Sequence, residues 1–211
     1  MAYDLEEQEK LDALRAWWDR YGTLVAVAVF VVVAAIVGWR GWQWYQGHQA
    51  TQAMGYFEAL QAAAAQEGDE SVARIQAASA TLRDSFADSG YTSRGVLVAA
   101  AALIERDQLD AAREQLEWLA GRNAEPALSA LARLRLAGVL LEQQQYDQAL
   151  AQLANPPASF EALYADRRGD ILLAQGKIEE ARVQWQGALE AFGSDPIAQI
   201  VQLKIDAIAG A

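Results

Sequence analysis

From Tyr21 to Trp39 the chain runs for 19 residues without a charge and is rich in Val, Ala, Leu and Ile. Beyond residue 45 the pattern changes. Val, Ile and Thr do not alternate with polar residues over any useful length, and Ala, Leu, Gln, Glu and Arg, the strong helix formers, dominate. Pro126, Pro156, Pro157 and Pro196 all fall between helical stretches rather than inside them. The pattern predicts an all-α chain: one apolar helix near the N-terminus, then a series of amphipathic helices.

At a rise of about 1.5 Å per residue, the uncharged stretch is roughly 28 Å long, close to the ~30 Å hydrocarbon core of a bilayer. Its flanks suit a membrane-spanning helix. Trp17, Trp18 and Tyr21 lie on one side, and Trp39, Trp42, Trp44 and Tyr45 on the other, as interfacial aromatic belts require. Arg40 is placed to snorkel to the headgroup layer. A helix buried in a soluble core would need no aromatic girdle at either end. The preceding twenty residues are acidic, where a signal peptide is short and basic, and no small-x-small cleavage site follows the apolar run, so an uncleaved anchor is expected. Lys10, Arg15 and Arg20 precede the span and only Arg40 follows it before Arg74, which by the positive-inside rule expects a cytoplasmic N-terminus. The spacing Ala34-x-x-x-Gly38 permits close helix packing.

Farther along, a short pattern recurs. Leu103-Ile104 leads through a polar turn to Leu109-Asp110-x-Ala112-x-x-Gln115-Leu116. Leu140-Leu141 leads to Tyr146-Asp147-x-Ala149-x-x-Gln152-Leu153, and Leu172-Leu173 to Ile178-Glu179-x-Ala181-x-x-Gln184-Trp185. Leu109, Tyr146 and Ile178 are 37 and 32 residues apart, bracketing the ~34-residue period of tetratricopeptide helix pairs. Nine positions before each stands a small residue: Ala100, Ala137 or Gly169. The first helix of each pair ends on an apolar doublet. Its partner opens with an acidic residue that suits the positive helix end, then presents Ala so that two backbones can approach. Neither helix buries its apolar face alone, so the pairs must stack as a solenoid. Leu103, Leu109, Ala112, Leu116, Leu140, Tyr146, Ala149, Leu153, Leu172, Ile178, Ala181 and Trp185 are the expected packing positions.

The remaining helices are less regular. Residues 50–65 should continue from the anchor as a stalk, broken near Gly68. A helix from Ser71 to Phe86, with Ser71 as N-cap and Val72, Ile75, Leu82 and Phe86 inward, should pair with one from Arg94 to Glu105. Ser194-Asp195-Pro196 signals a closing helix. Its inner stripe is Ile197, Ile200, Val201, Ile205 and Ile208, with Gln199, Gln202, Lys204 and Asp206 outside. That helix would cap the solenoid or offer its apolar face to a partner helix. Four segments result: an acidic tail (1–20), the span with its belts (21–45), a stalk and first soluble helix (46–70), and the repeat domain with its capping helix (71–211).

Composition narrows the chemistry. The 211 residues contain no Cys and one His, which removes disulfide frameworks, thiolate zinc sites, cysteine nucleophiles and multi-histidine metal sites. No G-x-G-x-x-G, P-loop or G-x-S-x-G is present. His48 lies just past the second aromatic belt, as an interfacial polar side chain would. No catalytic, cofactor or metal site is expected. The net charge of −11, of which the part from Thr51 onward carries −9, argues against nucleic acid and anionic lipid as ligands of the soluble part. Arg133, Arg135, Arg167 and Arg168 on first-helix faces are either a local basic island or ordinary partners of neighbouring carboxylates.

The acidic tail, one span ending in Gly38-Trp39-Arg40-x-Trp42, and the degenerate repeats together resemble the YfgM-type ancillary subunit family of the bacterial Sec translocon. Ala165-Asp166-Arg167-Arg168-Gly169-Asp170-x-Leu172-Leu173-x-x-Gly176 also looks like that family's Asp-x-Arg-Gly segment, with a doubled arginine here. The resemblance implies a single-pass inner-membrane protein with a cytoplasmic tail and a periplasmic tetratricopeptide-like domain. It further implies a non-enzymatic adaptor whose partners are the SecYEG channel and a PpiD-like periplasmic chaperone, with a cytoplasmic stress-response regulator as a further contact of the N-terminal tail. A membrane-tethered scaffold for another envelope assembly is the alternative with the same architecture.

Overall fold

The computed structural model describes residues 2–122 and 125–209, and every regular element among them is helical. The elements are α1 (Ala2–Ala64), α2 (Asp69–Ser85), α3 (Gly90–Glu105), α4 (Leu109–Ala120), α5 (Pro126–Glu142), α6 (Tyr146–Gln152), a 3₁₀ turn (Ala158–Phe160), α7 (Glu161–Ala174), α8 (Ile178–Phe192) and α9 (Ile197–Ala209). Local chemistry sets several of these boundaries. The Ser89 hydroxyl accepts the Tyr91 N–H at the start of α3, Pro126 opens α5, and Asp195 Oδ1 accepts the Ile197 N–H at 2.9 Å at the start of α9. The brevity of α6 follows from Pro156 and Pro157, which cannot continue a helix.

Three connections are the same turn. Asp107 N–H donates to Ile104 O and Gln108 N–H to Leu103 O at 3.0 and 2.9 Å. Gln144 and Gln145 repeat this to Leu141 and Leu140, and Gly176 and Lys177 to Leu173 and Leu172. This is the Schellman closure of a helix C-terminus, with its central residue left-handed: φ is 57° at Asp107, 59° at Gln144 and 77° at Gly176. The apolar doublets therefore supply the acceptor carbonyls of the turn as well as side chains for the core. Leu109, Tyr146 and Ile178 are each the first residue of the second helix.

The chain forms two units, Met1–Gln49 and Ala50–Ala211. The first is the membrane-length helix. In the second, α1 from residue 50 is not a free stalk: Ala53, Leu60 and Ala63 are buried in one cluster with Ile75, Leu82, Ala99, Ala102 and Leu103. The expected pairing of α2 with α3 is present, and the end of α1 joins it in a three-helix layer. Gly95 of α3 lies against both Leu82 and Phe57, where a β-carbon would stand 2.8 Å from Leu82 Cδ1. Ser71 is not the cap of α2. Gly68 at φ 99° holds that position, and the Ser71 hydroxyl donates back to its carbonyl at 2.6 Å.

A larger cluster joins α3, α4, α5, α6 and α7 through Val96, Leu116, Leu119, Leu136, Leu140, Leu153, Tyr164 and Ile171, and a third joins α7, α8 and α9. The closing helix differs from its expected faces at Ile197, Ile200 and Lys204. Ile200 is exposed, and so are Leu203 and the edge of Ile197, while Val201 is fully buried. Lys204, expected outside, turns inward and donates to Asp166 Oδ1 and Asp170 Oδ1 at 2.7 Å each. Helical spacing puts it there: Lys204 lies seven residues after Ile197 and three after Val201, on the same face, and its ammonium pairs with two half-buried carboxylates of α7.

Candidate partner-binding surface

In the N-terminal unit the span is 19 uncharged helical residues whose side chains are nearly all exposed. Trp17, Trp18, Tyr21, Trp39, Trp42 and Trp44 are exposed, as is Arg40. Neighbouring rings touch at both ends: Trp17 with Tyr21 at 5.7 Å, Trp42 with Tyr45 at 6.3 Å, and Trp44 stacked on His48 at 5.7 Å. Gly22 lets the Trp18 indole lie flat, since a β-carbon there would be 3.1 Å from its Nε1. The helix is long and apolar enough to cross a membrane and carries amphipathic rings at both ends of the apolar stretch.

The soluble unit is built from repeated contacts. Ala112, Ala149 and Ala181 have no exposed surface, nor do Leu103, Leu116 and Leu153, while Leu140, Leu172 and Trp185 are also buried. Leu109 and Tyr146 pack against the central cluster. Ile178 does not follow them. It is 45% exposed, because only α9 lies beyond the last pair among the described residues.

A second set of repeated contacts is polar. The residue that ends each first helix reaches back to the start of the preceding second helix: Gln143 Nε2 donates to Asp110 Oδ1 at 2.8 Å, and Gln175 Nε2 to Asp147 Oδ1 at 3.4 Å. Arg106 holds the corresponding place in α3 and does more. Its Nε donates to Ser71 Oγ, Nη1 to Ala102 O, and Nη2 to Ala64 O at 2.8 Å and Gln66 O at 2.6 Å. A guanidinium on the last carbonyls of a helix also complements its negative end. Sequence reasoning missed these stitches. Asp110 and Asp147 stood in register, but their partners lie 33 and 28 residues downstream and differ in type from Arg106.

The four arginines separate into two pairs. Arg133 donates to Ala120 O at the end of α4, and Arg168 to Leu153 O and Gln184 Oε1, so both are held within the stack. Arg135 and Arg167, one repeat apart, each lean onto the preceding first helix. Arg135 Nη1 donates to Leu97 O of α3 at 3.2 Å, and the Arg167 guanidinium lies 3.8 Å from the place a Gly138 β-carbon would take on α5. Arg167 has Asp170 at 3.6 Å. Beside Arg135 opens a groove lined by Ala64, Leu97, Val98, Ala101, Ala102 and Glu105.

Buried Tyr164 of the central cluster donates from its hydroxyl to Ala130 O at 2.8 Å. Burial pushes its pKa above the ordinary 10.0, while the Arg133 charge pulls it the other way. Among the described residues no three of His, Cys, Asp or Glu come together as metal ligands would. The surface offers apolar floor, main-chain-facing cations and rim carboxylates, which is equipment for binding rather than for bond chemistry.

Residues 15–210 match the model of a tetratricopeptide repeat-like domain family. The chain is similar to the ancillary SecYEG translocon subunit of Neisseria gonorrhoeae, with 31% identity over 99% of this chain and the whole of that protein. The proteins of the same description from Haemophilus influenzae and Escherichia coli are 29% and 26% identical, over 98% and 95% of this chain and 99% and 95% of their own lengths.

Proposed function

The chain belongs to the ancillary SecYEG translocon subunit family, with a tetratricopeptide repeat-like domain, and on that premise we propose that it is an accessory of the Sec protein-translocation channel. It is an accessory subunit and not an enzyme. The observation that carries the reading is the coincidence of an end-to-end match to translocon subunits with a chain built of one membrane-length helix and a stack of helix pairs.

In this reading residues 21–45 anchor the protein in the inner membrane, and Trp17, Trp18, Tyr21, Trp39, Arg40, Trp42 and Trp44 seat the anchor at its two interfaces. The bias of Lys10, Arg15 and Arg20 against Arg40 supports an N-terminus in the cytoplasm and a periplasmic repeat domain. The anchor makes lateral contact with the channel, and the repeat domain receives polypeptide emerging from it and hands it on with a membrane-bound periplasmic chaperone of the PpiD kind. The acidic tail is free to contact a cytoplasmic regulator.

Affinity purification from detergent-solubilised membranes tests the association: SecYEG should be recovered, and recovery of unrelated complexes alone overturns it. A topology reporter fused after Ala211 should be active only across the membrane, and cytoplasmic activity would reverse the placement. Photocrosslinking from α3 and α5 positions should capture the chaperone or translocating chains; crosslinks only to the channel would remove the hand-over step.

A further inference from the structure

We propose that the groove beside Arg135 is a docking site for an extended polypeptide segment that carries an apolar side chain next to a carboxylate; this rests on the reading that the repeat domain receives unfolded chains. The floor is apolar and shallow-sided, formed by Ala64 at the end of α1 and by Leu97, Val98, Ala101 and Ala102 of α3. From Leu97 to Glu105 the groove follows two turns of one helix, about 12 Å. That length matches three or four residues of extended chain at roughly 3.3 Å each.

Charge selects the occupant further. Arg135 is half-buried, makes one hydrogen bond to a main-chain carbonyl, and forms no ion pair among the described residues. A guanidinium has five N–H donors in a planar fork that matches a carboxylate, and a half-desolvated cation without a counter-ion gains from acquiring one. Its companions are held more fully: Arg133 puts both Nε and Nη2 on Ala120 O, Arg168 donates to Leu153 O and Gln184 Oε1, and Arg167 lies 3.6 Å from Asp170. At the other end of the groove the Glu105 carboxylate is exposed and forms no ion pair among the described residues, so it opposes a second acidic residue there. The groove therefore reads one carboxylate beside one apolar side chain, in one direction. The strongly acidic surroundings, −9 from Thr51 onward, keep generally acidic proteins away and leave selection to this local pair.

The test uses the full chain in nanodiscs and fluorescence anisotropy with three labelled octapeptides that differ at one residue, containing Leu-Glu, Leu-Gln or Leu-Lys at the centre. The Leu-Glu peptide should bind tightest, with the Leu-Lys peptide weaker by roughly tenfold or more, the scale of a hydrogen bond to a charged group, and the preference should shrink at high salt. Arg135→Gln should make the Leu-Glu and Leu-Gln peptides equal. Should that variant fail to fold by circular dichroism, Ala101→Glu, a surface change in the groove floor, should remove the same preference. Equal binding of the three peptides, no binding, or an unchanged preference in the folded variant overturns the proposal. Recovery of SecYEG is read in parallel. Its absence with the unsubstituted chain would overturn the translocon reading, whereas its retention beside charge-blind binding would overturn the groove alone.

Discussion

Gly169 of α7 faces the indole of Trp185 of α8 so closely that a β-carbon on Gly169 would lie 2.5 Å from Cδ1 and 2.8 Å from Cε2 of that ring. In the two preceding repeats the same places hold Ala100 with Leu116 and Ala137 with Leu153, all buried. The third repeat has exchanged volume across the interface: the larger ring on one helix is matched by the missing methyl on the other. The indole Nε1 then donates to Asp166 O at 3.1 Å, one turn below. Gly169→Ala should lower stability by about 1–3 kcal/mol through overpacking. In a Trp185→Leu background the same change should cost far less, because it restores the Ala–Leu pair of the other repeats. Denaturant unfolding of the four members of this cycle measures the coupling, and strictly additive effects would contradict the pairing.

The three Schellman turns give an internal comparison. Gly176 adopts φ 77° at no steric cost, whereas Gln144 is held at 59°. Gln144→Gly should raise stability by about 0.5–1 kcal/mol, and Gly176→Ala should lower it by about 1 kcal/mol. Opposite signs in paired thermal melts are the expected outcome.

Arg106 binds the carbonyls of Ala64 and Gln66 and the Ser71 hydroxyl at once. Arg106→Ala should release the last turn of α1, read as faster amide hydrogen exchange over residues 60–66, with a loss of about 1–3 kcal/mol. Arg106→Lys should rescue little, since a single ammonium cannot reproduce the planar fork.

Lys204 is the counter-ion that α9 supplies to Asp166 and Asp170, and it also lies 5.8 Å from the centre of the Trp185 ring. Lys204→Met keeps the aliphatic stem and removes the charge. It should destabilise α9 by about 1–2 kcal/mol, allowing for partial solvent screening, and exchange protection should fall across Ile197–Ala209 before the rest of the stack. Uniform loss across all helices would argue against a local latch.

Tyr164 predicts an alkaline limit. Burial raises its pKa against the weaker opposing pull of Arg133, so the fold favours the neutral phenol. Its contribution is intact below pH 10.0 and is lost as the pH rises through the higher folded-state value. Tyr164→Phe should flatten stability across that alkaline range, at a cost of about 1 kcal/mol at neutral pH for the bond to Ala130. An unchanged alkaline slope would assign that limit to another group.

The apolar span, the helical class and the starts of α4, α6 and α8 were legible before any coordinates, because each is a local property. Hydropathy over 19 residues, helix-forming composition, and a turn whose acceptors are an adjacent apolar doublet all operate within a few residues. The same locality explains why prolines and Asp195 marked helix ends correctly. Where the pattern misled, a distant group had intervened. Lys204 reads as an outward residue by its charge, yet its spacing seven residues after Ile197 puts it on the inner face of α9, where Asp166 and Asp170, more than thirty residues earlier, supply its partners. The stretch after residue 50 continues the anchor helix in sequence, yet Ala53, Leu60 and Ala63 are buried by α2 and α3. For the candidate site, the arginines were visible as a cluster but not as two pairs with different roles, since the division depends on which carbonyls the neighbouring helices present.

By itself, then, the amino-acid order determined where the chain is apolar enough for a bilayer, where the second helix of each repeat begins, and which residues repeat, all consequences of hydropathy and hydrogen bonding over short distances. Only the tertiary structure decided that Arg106 ties α1 into the stack, that Gly169 must make room for Trp185, and that Arg135 stands beside an apolar groove without an ion-pair partner among the described residues. Those outcomes depend on the volume and charge that one helix finds on another, and no spacing along a single chain encodes which helices will meet.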